Sequence, residues 1–227
     1  MPGSLYLGCG NAADEASLWK IMLQRPMTRI VYWPFALPPQ SLDSAEDWLR
    51  SSLSDLGVGY SLDTWQRLQD HSASELTNES VDLHFVGGGN TFRLLDIVRR
   101  SGFVEPVRCF HRCGGDYYGG SAGAVLACDS IEIADGHNPN EPGLHDLSAL
   151  GLLSGATILP HFTDGQLPDA IDWARARRAV VLGLPESLGL YCSDGRLRIT
   201  GRGHLSRITS DAVQMFHPGD EITFTQT

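Results

Sequence analysis

The chain predicts an α/β fold built on a mostly parallel sheet with helices on both faces, and three observations carry that expectation. Short apolar, β-rich runs alternate with stretches whose apolar residues recur three and four apart, the pattern of strands joined by crossover helices. Beyond Glu186 the texture changes to short runs punctuated by turns, which reads as antiparallel strands added near the C-terminus. The composition, 42% hydrophobic and 19% charged over 227 residues, is enough for a sizeable core. One domain spanning 1–227 is expected.

In chain order, SLYLGCG (4–10) is the first candidate strand and ADEASLWKIMLQR (13–25) the first helix. RIVYWPF (29–35) and SAEDWLRSSLSDL (44–56) form the next pair. VDLHFVGGG (81–89) runs into NTFRLLDIVRRSG (90–102), with Asn90 placed to cap the helix start. DYYG can be a short strand and AGAVLAC the start of a helix, so Ser121 falls on the turn between them. The segment 129–155, rich in Gly, Pro, Asn and Asp, reads as a long loop, a place where function gathers. ATILPHF (156–162), LPDAIDWARARR (167–178) and AVVLGLP (179–185) complete the alternation. Ser193-Asp194-Gly195 and Pro218-Gly219-Asp220 then look like hairpin connections at one sheet edge.

The bulk numbers narrow the partners. No run of ~18 apolar residues occurs, and the first fifteen residues lack the basic start and apolar run of a signal peptide, so a soluble, cytoplasmic protein is expected. Cys9, Cys109, Cys113, Cys128 and Cys192 are odd in number and irregularly spaced, which favours free thiols over a disulfide or metal framework. A formal charge of −10, without a Lys/Arg-rich block, argues against nucleic acid and anionic membranes and leaves small solutes as the default substrate class.

Gly119-Gly120-Ser121-Ala122-Gly123 fits a G-x-S-x-G elbow, in which small neighbours let a strand turn sharply into a helix and expose the serine oxygen. The same residues also suit close strand–helix packing with no chemistry at all, and both readings stand at this point. Gly87-Gly88-Gly89 follow an apolar strand and precede a helix, so backbone N–H groups there could form a second wall around an oxyanion. Their spacing is not a dinucleotide fingerprint, and no lysine follows for a P-loop. No cofactor or metal is expected.

A serine needs a base, and His161 is best placed, just past an apolar strand where loops of a parallel sheet gather ligands. His84 reads as structure inside a strand, while His137 and His145 lie in the long loop and could touch substrate; His71, His111, His204 and His217 have no supporting context. Glu186, again just past a strand, is the candidate acid to orient His161, with Asp135 and Asp164 as competitors.

Taken together, VGGGNTFRLL, GGSAGAVLAC, LPHFTD and VLGLPES resemble the peptidase E family of serine dipeptidases, whose distant relatives include cyanophycinases. The resemblance covers most of 81–190. It implies a glutamine-amidotransferase-like fold, Ser121 as nucleophile, His161 as base, Glu186 as acid, and the N–H groups of Gly89 and Ala122 as oxyanion donors. Asn90 matches the family's glycine-loop asparagine, and Gly88, Asn90 and Thr91 become candidates for holding substrate. The order Ser, His, acid differs from the Ser, acid, His order of α/β-hydrolases.

One departure bears on specificity. The family's aspartyl dipeptidases carry a T-R-E-x-x-R-like run between base and acid, whose first arginine pairs with the substrate aspartate. Here that stretch is shorter, and Arg175, Arg177 and Arg178 look like the polar face and last turn of a helix. The expected function is therefore a serine exopeptidase acting on short peptides without strict aspartate specificity. A homodimer is compatible with it. The alternatives are a hydrolase of another amide, such as a cyanophycin-like polymer, and a non-catalytic small-molecule binding module.

Overall fold

The computed structural model describes residues 1–24, 28–77 and 81–223. Arg25, at the end of the first expected helix, and Phe224, at the end of the last apolar run, lie outside the described residues. The elements in chain order are β1 (Leu5–Gly8), α1 (Ala16–Met22), β2 (Thr28–Trp33), α2 (Leu42–Asp55), β3 (Tyr60–Thr64), α3 (Ala73–Leu76), β4 (Leu83–Val86), α4 (Thr91–Arg100), α5 (Val104–Arg112), β5 (Asp116–Gly120) and α6 (Ala122–Leu126). After the long loop come β6 (Thr157–Pro160), α7 (Leu167–Arg177), β7 (Val181–Leu184), β8 (Leu188–Ser193), β9 (Arg196–Gly201), β10 (Leu205–Ile208), β11 (Val213–Phe216) and β12 (Glu221–Thr223).

The main sheet has eight strands in the order β12-β9-β8-β1-β5-β4-β2-β3. From β1 to β3 every pairing is parallel, and β8, β9 and β12 extend the other edge antiparallel. Successive side chains of a strand point to opposite faces, so this sheet has a core on each side. Leu5 and Leu7 of β1 and Val86 of β4 face a cluster shared with α4, α5 and α6; Tyr6, Phe85 and Tyr118 face a second cluster with Leu18 and Trp19 of α1 and Leu49 and Leu53 of α2. The expected fold class, a largely parallel sheet with helices on both faces, is the one observed.

Two expectations need correction. The runs at 156–162 and 179–185 do not join the main sheet: β6 and β7 pair parallel with each other in a separate four-stranded sheet, β11-β10-β7-β6. The strands after Glu186 accordingly divide between two sheets rather than adding at one edge. Asp194 and Gly195 do form the expected hairpin turn between β8 and β9, with φ of 52° and 72° as a two-residue primed turn requires. Pro218-Gly219-Asp220 does not form a hairpin; it carries the chain from β11 in the small sheet to β12 at the edge of the large one. Turn chemistry marks where the chain reverses, and the partner strand is chosen by packing.

Three elements carried no clear sequence signal: β3, α3 and α5. The loop 129–155 has little regular structure, as expected: one 3-10 turn, Glu132–Ala134, and isolated β-bridges such as Ser130 to Ser148. It is nonetheless pinned down: Arg99 of α4 donates to the carbonyls of Asp146 and Ser148, and Arg108 of α5 donates to those of Ala149 and Leu150. No helix among the described residues is long and apolar enough to cross a membrane.

Candidate active site

The C-terminal ends of β1, β4, β5, β6 and β7 supply the loops of one site, as the topology of parallel strands dictates. At its centre, Ser121 occupies the one-residue turn between β5 and α6 with φ 50° and ψ −106°, a conformation rarely adopted by a residue with a side chain. Its flanking glycines make the turn feasible. A Cβ at Gly123 would lie 2.4 Å from the Val86 carbonyl oxygen, so only glycine lets α6 start this close to β4. The two readings of the elbow, exposed hydroxyl and close packing, are thus parts of one geometry.

The Ser121 hydroxyl lies 2.7 Å from Nε2 of His161, and Nδ1 of His161 lies 2.5 Å from Oε1 of Glu186. A carboxylate only accepts, so Nδ1 carries the proton of the neutral ring, leaving Nε2 to accept from the serine. The three side chains form one directed hydrogen-bond chain. Glu186, rather than Asp135 or Asp164, meets the ring: Asp164 projects into solvent with the His204 ring 3.9 Å away, and Asp135 is exposed on the loop. His161 and Glu186 side chains are 46% and 53% exposed, so a substrate can reach them.

His161 also sits at positive φ, 57°, immediately after β6. Its backbone N–H donates to Sγ of Cys9, 3.3 Å away, and that thiol donates to the Leu184 carbonyl at 3.4 Å. Cys9 therefore ties the end of β1 to His161 and to the end of β7, two residues before Glu186. The loop holding Cys9 is in turn fixed by Glu15, whose buried carboxylate accepts from the N–H groups of Cys9 and Gly10, from Trp19 Nε1 and from the Tyr118 hydroxyl. Burial pushes the Glu15 carboxyl above its usual range against the pull of these donors, and burial pushes the Cys9 thiol up to about 12. Cys9 is a free, buried thiol, as the irregular cysteine spacing implies. Its position one residue past the strand end, before Gly10, was the available signal of its contact with His161.

Cys9, His161 and Glu186 each offer one ligand atom, all within 4.8 Å of one another. The imidazole nitrogen is engaged with Glu186 and the thiol is held protonated by burial. A cation at this point would displace the hydrogen-bond chain.

The backbone N–H groups of Gly89 and Ala122 have no acceptor among the described residues. Gly89 has φ 138°, and a Cβ there would lie 2.4 Å from the Ala36 carbonyl oxygen, so the turn requires glycine. Asn90 caps α4, accepting from Arg93 N–H, and donates to the Pro139 carbonyl. Thr91 donates through both N–H and hydroxyl to Oδ1 of Asn138. The amide of Asn90 thus holds the loop 129–155 over the site.

A cavity of about 440 Å³ opens at Ser121 and His161, walled by Gly89, Thr91, Asn138, Leu159 and Gln166. His137 lines it; His145 is exposed and does not. Gly88 lines a second cavity on the other side of the glycine turn. The contributions of Asn138 and Gln166 were missed in sequence, because their relevance comes only from loops folding over the sheet edge. No arginine or lysine lines either cavity among the described residues. Arg175 pairs with Asp172, and Arg177 pairs with Glu132 while lying over the Trp173 ring, as a helix's polar face does.

Residues 7–200 match the family described as peptidase family S51. The chain is 26% identical over 217 residues to peptidase E of Nostoc sp., covering 90% of this chain and 86% of that protein. It is 32% identical over 182 residues to peptidase E of Salmonella newport, covering 75% of this chain and 76% of that protein. Its fold is similar to the crystal structure of a peptidase from an acI-B1 actinobacterium, with a TM-score of 0.73 at 17% identity, over 99% of this chain and 98% of the other.

Proposed function

The chain belongs to peptidase family S51, serine-type peptidases, and from that premise we propose that it is an exopeptidase hydrolysing short peptides through Ser121, His161 and Glu186. The observation that carries the proposal is the unbroken chain from the Ser121 hydroxyl through the His161 ring to the Glu186 carboxylate. His161 Nε2 takes the hydroxyl proton as Ser121 Oγ bonds to the scissile carbonyl carbon, and Glu186 stabilises the imidazolium. The N–H groups of Gly89 and Ala122, which lack other acceptors, hold the oxyanion. The C–N bond then breaks, the proton on His161 passes to the leaving amine, and the acyl group remains on Ser121. Water, deprotonated by His161, attacks that ester, releases the acid and restores the hydroxyl.

Size supports a short substrate, since 440 Å³ lies low in the ~300–1,000 Å³ range of small-ligand sites. Strict recognition of an aspartate side chain is not part of the proposal. A buried carboxylate needs a paired cation, and neither cavity is lined by a lysine or arginine among the described residues.

The test is hydrolysis of a library of dipeptides, blocked peptides and β-linked amides by the wild type and by Ser121→Ala. The wild type is expected to cleave free short peptides and the variant to lose on the order of 10³-fold or more in kcat. Equal rates from both proteins would remove Ser121 from the chemistry.

A further inference from the structure

We propose that the second cavity, on the α1–α2 side of the main sheet, receives one aromatic or large aliphatic side chain adjoining the bond that Ser121 attacks. This rests on the peptidase reading above and names the substrate class it leaves open.

Position is the first argument. The inner end of this cavity is backbone at Gly87, Gly88 and Gly120, at the ends of β4 and β5. A Cβ placed on Gly88 would lie 3.2 Å from the Ser121 Cβ and 3.8 Å from its hydroxyl oxygen. Only a glycine backbone therefore separates the recess from Ser121, and a substrate held at the serine has one residue's reach into it.

The walls set the chemistry. Tyr32, Leu37, Ala45, Trp48, Phe85 and Tyr118 make most of the wall, Ser41 and Ser44 add two hydroxyls, and no charged side chain lines it among the described residues. Trp48, 40% exposed, lines the recess from α2 and packs edge-on against Trp19, so part of its ring is free to meet a substrate side chain. The volume, about 270 Å³, falls below the range of sites that enclose a whole small ligand, and suits a single side chain.

Tyr32, 2% exposed as a whole, lines the recess, and its hydroxyl is not among the buried polar atoms left without a partner, so it opens onto the cavity. A side chain with a polar atom at its far end, tyrosine or tryptophan, could bond that hydroxyl, while phenylalanine or leucine would gain from the apolar walls alone.

The experiment measures kcat/KM for paired peptides carrying Trp, Tyr, Phe, Leu, Ala or Asp on either side of the scissile bond. At one of the two positions, the bulky apolar residues are expected to exceed Ala by roughly 10–100-fold, the scale of burying such a side chain. Ala45→Phe, which fills the recess, and Trp48→Ala, which strips its exposed wall, should each bring that ratio towards one; circular dichroism reports whether each variant is folded. Preference for Ala or Asp at both positions, or a bulky-residue preference that neither folded variant changes, overturns the inference while leaving the peptidase reading intact. Should the wild type neither hydrolyse any peptide nor label at Ser121 with a fluorophosphonate, the peptidase reading fails instead. The recess is then decided by calorimetric titration with N-acetyl-tryptophanamide: binding weakened at least tenfold by Trp48→Ala upholds it as an aromatic site, and no binding to the wild type overturns it.

Discussion

Ser121 and His161 share a backbone feature that neither would adopt unaided, φ of 50° and 57° on residues with side chains. Such conformations persist only where surrounding structure over-determines them. For Ser121 the restraint is its N–H bond to the Gly8 carbonyl at 2.8 Å and the glycines on either side. For His161 it is the Cys9 thiol, which holds the histidine N–H and the Leu184 carbonyl at once. Cys9 is thereby placed to act through His161, as a positioning residue of the proposed chemistry. Cys9→Ala leaves the His161 N–H without its acceptor, while the Leu184 carbonyl keeps its bond from the Phe162 N–H, at a cost of about 1–3 kcal/mol in stability. With the imidazole less well placed, kcat should fall by roughly tenfold to a hundredfold with KM little changed. Cys9→Ser, which can donate and accept, should recover much of the loss; steady-state kinetics and thermal melts of the three proteins check this, and a parallel change in KM would argue for a substrate contact instead.

The elbow shows how one element boundary sets the site. α6 is only five residues long, and its first turn packs on β4 because Gly119 and Gly123 present no Cβ: one at Gly119 would meet the Gly123 carbonyl oxygen at 2.4 Å, and one at Gly123 would meet that of Val86 at 2.4 Å. Gly123→Ala should force α6 off the sheet, destabilising the protein by about 1–3 kcal/mol as overpacking does. Ser121 should also label far more slowly with a fluorophosphonate, because its hydroxyl would no longer meet His161. Chemical denaturation and labelling rates measure the two effects separately. The pattern G-x-S-x-G exposed this boundary in sequence because small residues are required in a fixed order. Nothing comparable announced α5, whose N-cap Phe103 makes no side-chain cap bond, or β3, whose alternation is only half-buried.

At the scale of the molecule, stability and topology both depend on contacts between distant segments. His84 is enclosed in the core, its ring 4.0 Å from that of Trp33, with neither ring nitrogen hydrogen-bonded. Burial lowers its pKa to about 3. In this state the fold binds the neutral ring, while the unfolded chain takes up a proton below its ordinary value near 6.5. The stabilisation is full above about pH 6.5 and is lost as pH falls, by about 1.4 kcal/mol per unit, until pH 3. The raised carboxyl of Glu15 works in the opposite direction, favouring the fold at low pH and losing that contribution as pH rises. Replacing His84 with leucine should flatten the acid limb of a denaturation curve measured from pH 7 to 4; an unchanged limb would show that the histidine is protonated in the fold. Sequence alone determined the alternation of strands and helices and the serine turn, and offered a candidate base and acid, because each shows as local burial periodicity, a fixed local order of small residues, or a polar residue just past an apolar strand. It placed β6 and β7 in the wrong sheet and gave no partner to Cys9, since a buried apolar run specifies that a strand is covered and not which strand lies beside it. Tertiary structure decided those pairings, the choice of Glu186 over Asp135 and Asp164, and the two cavities beside Ser121, all of which arise where separate loops converge at one edge of a twisted sheet.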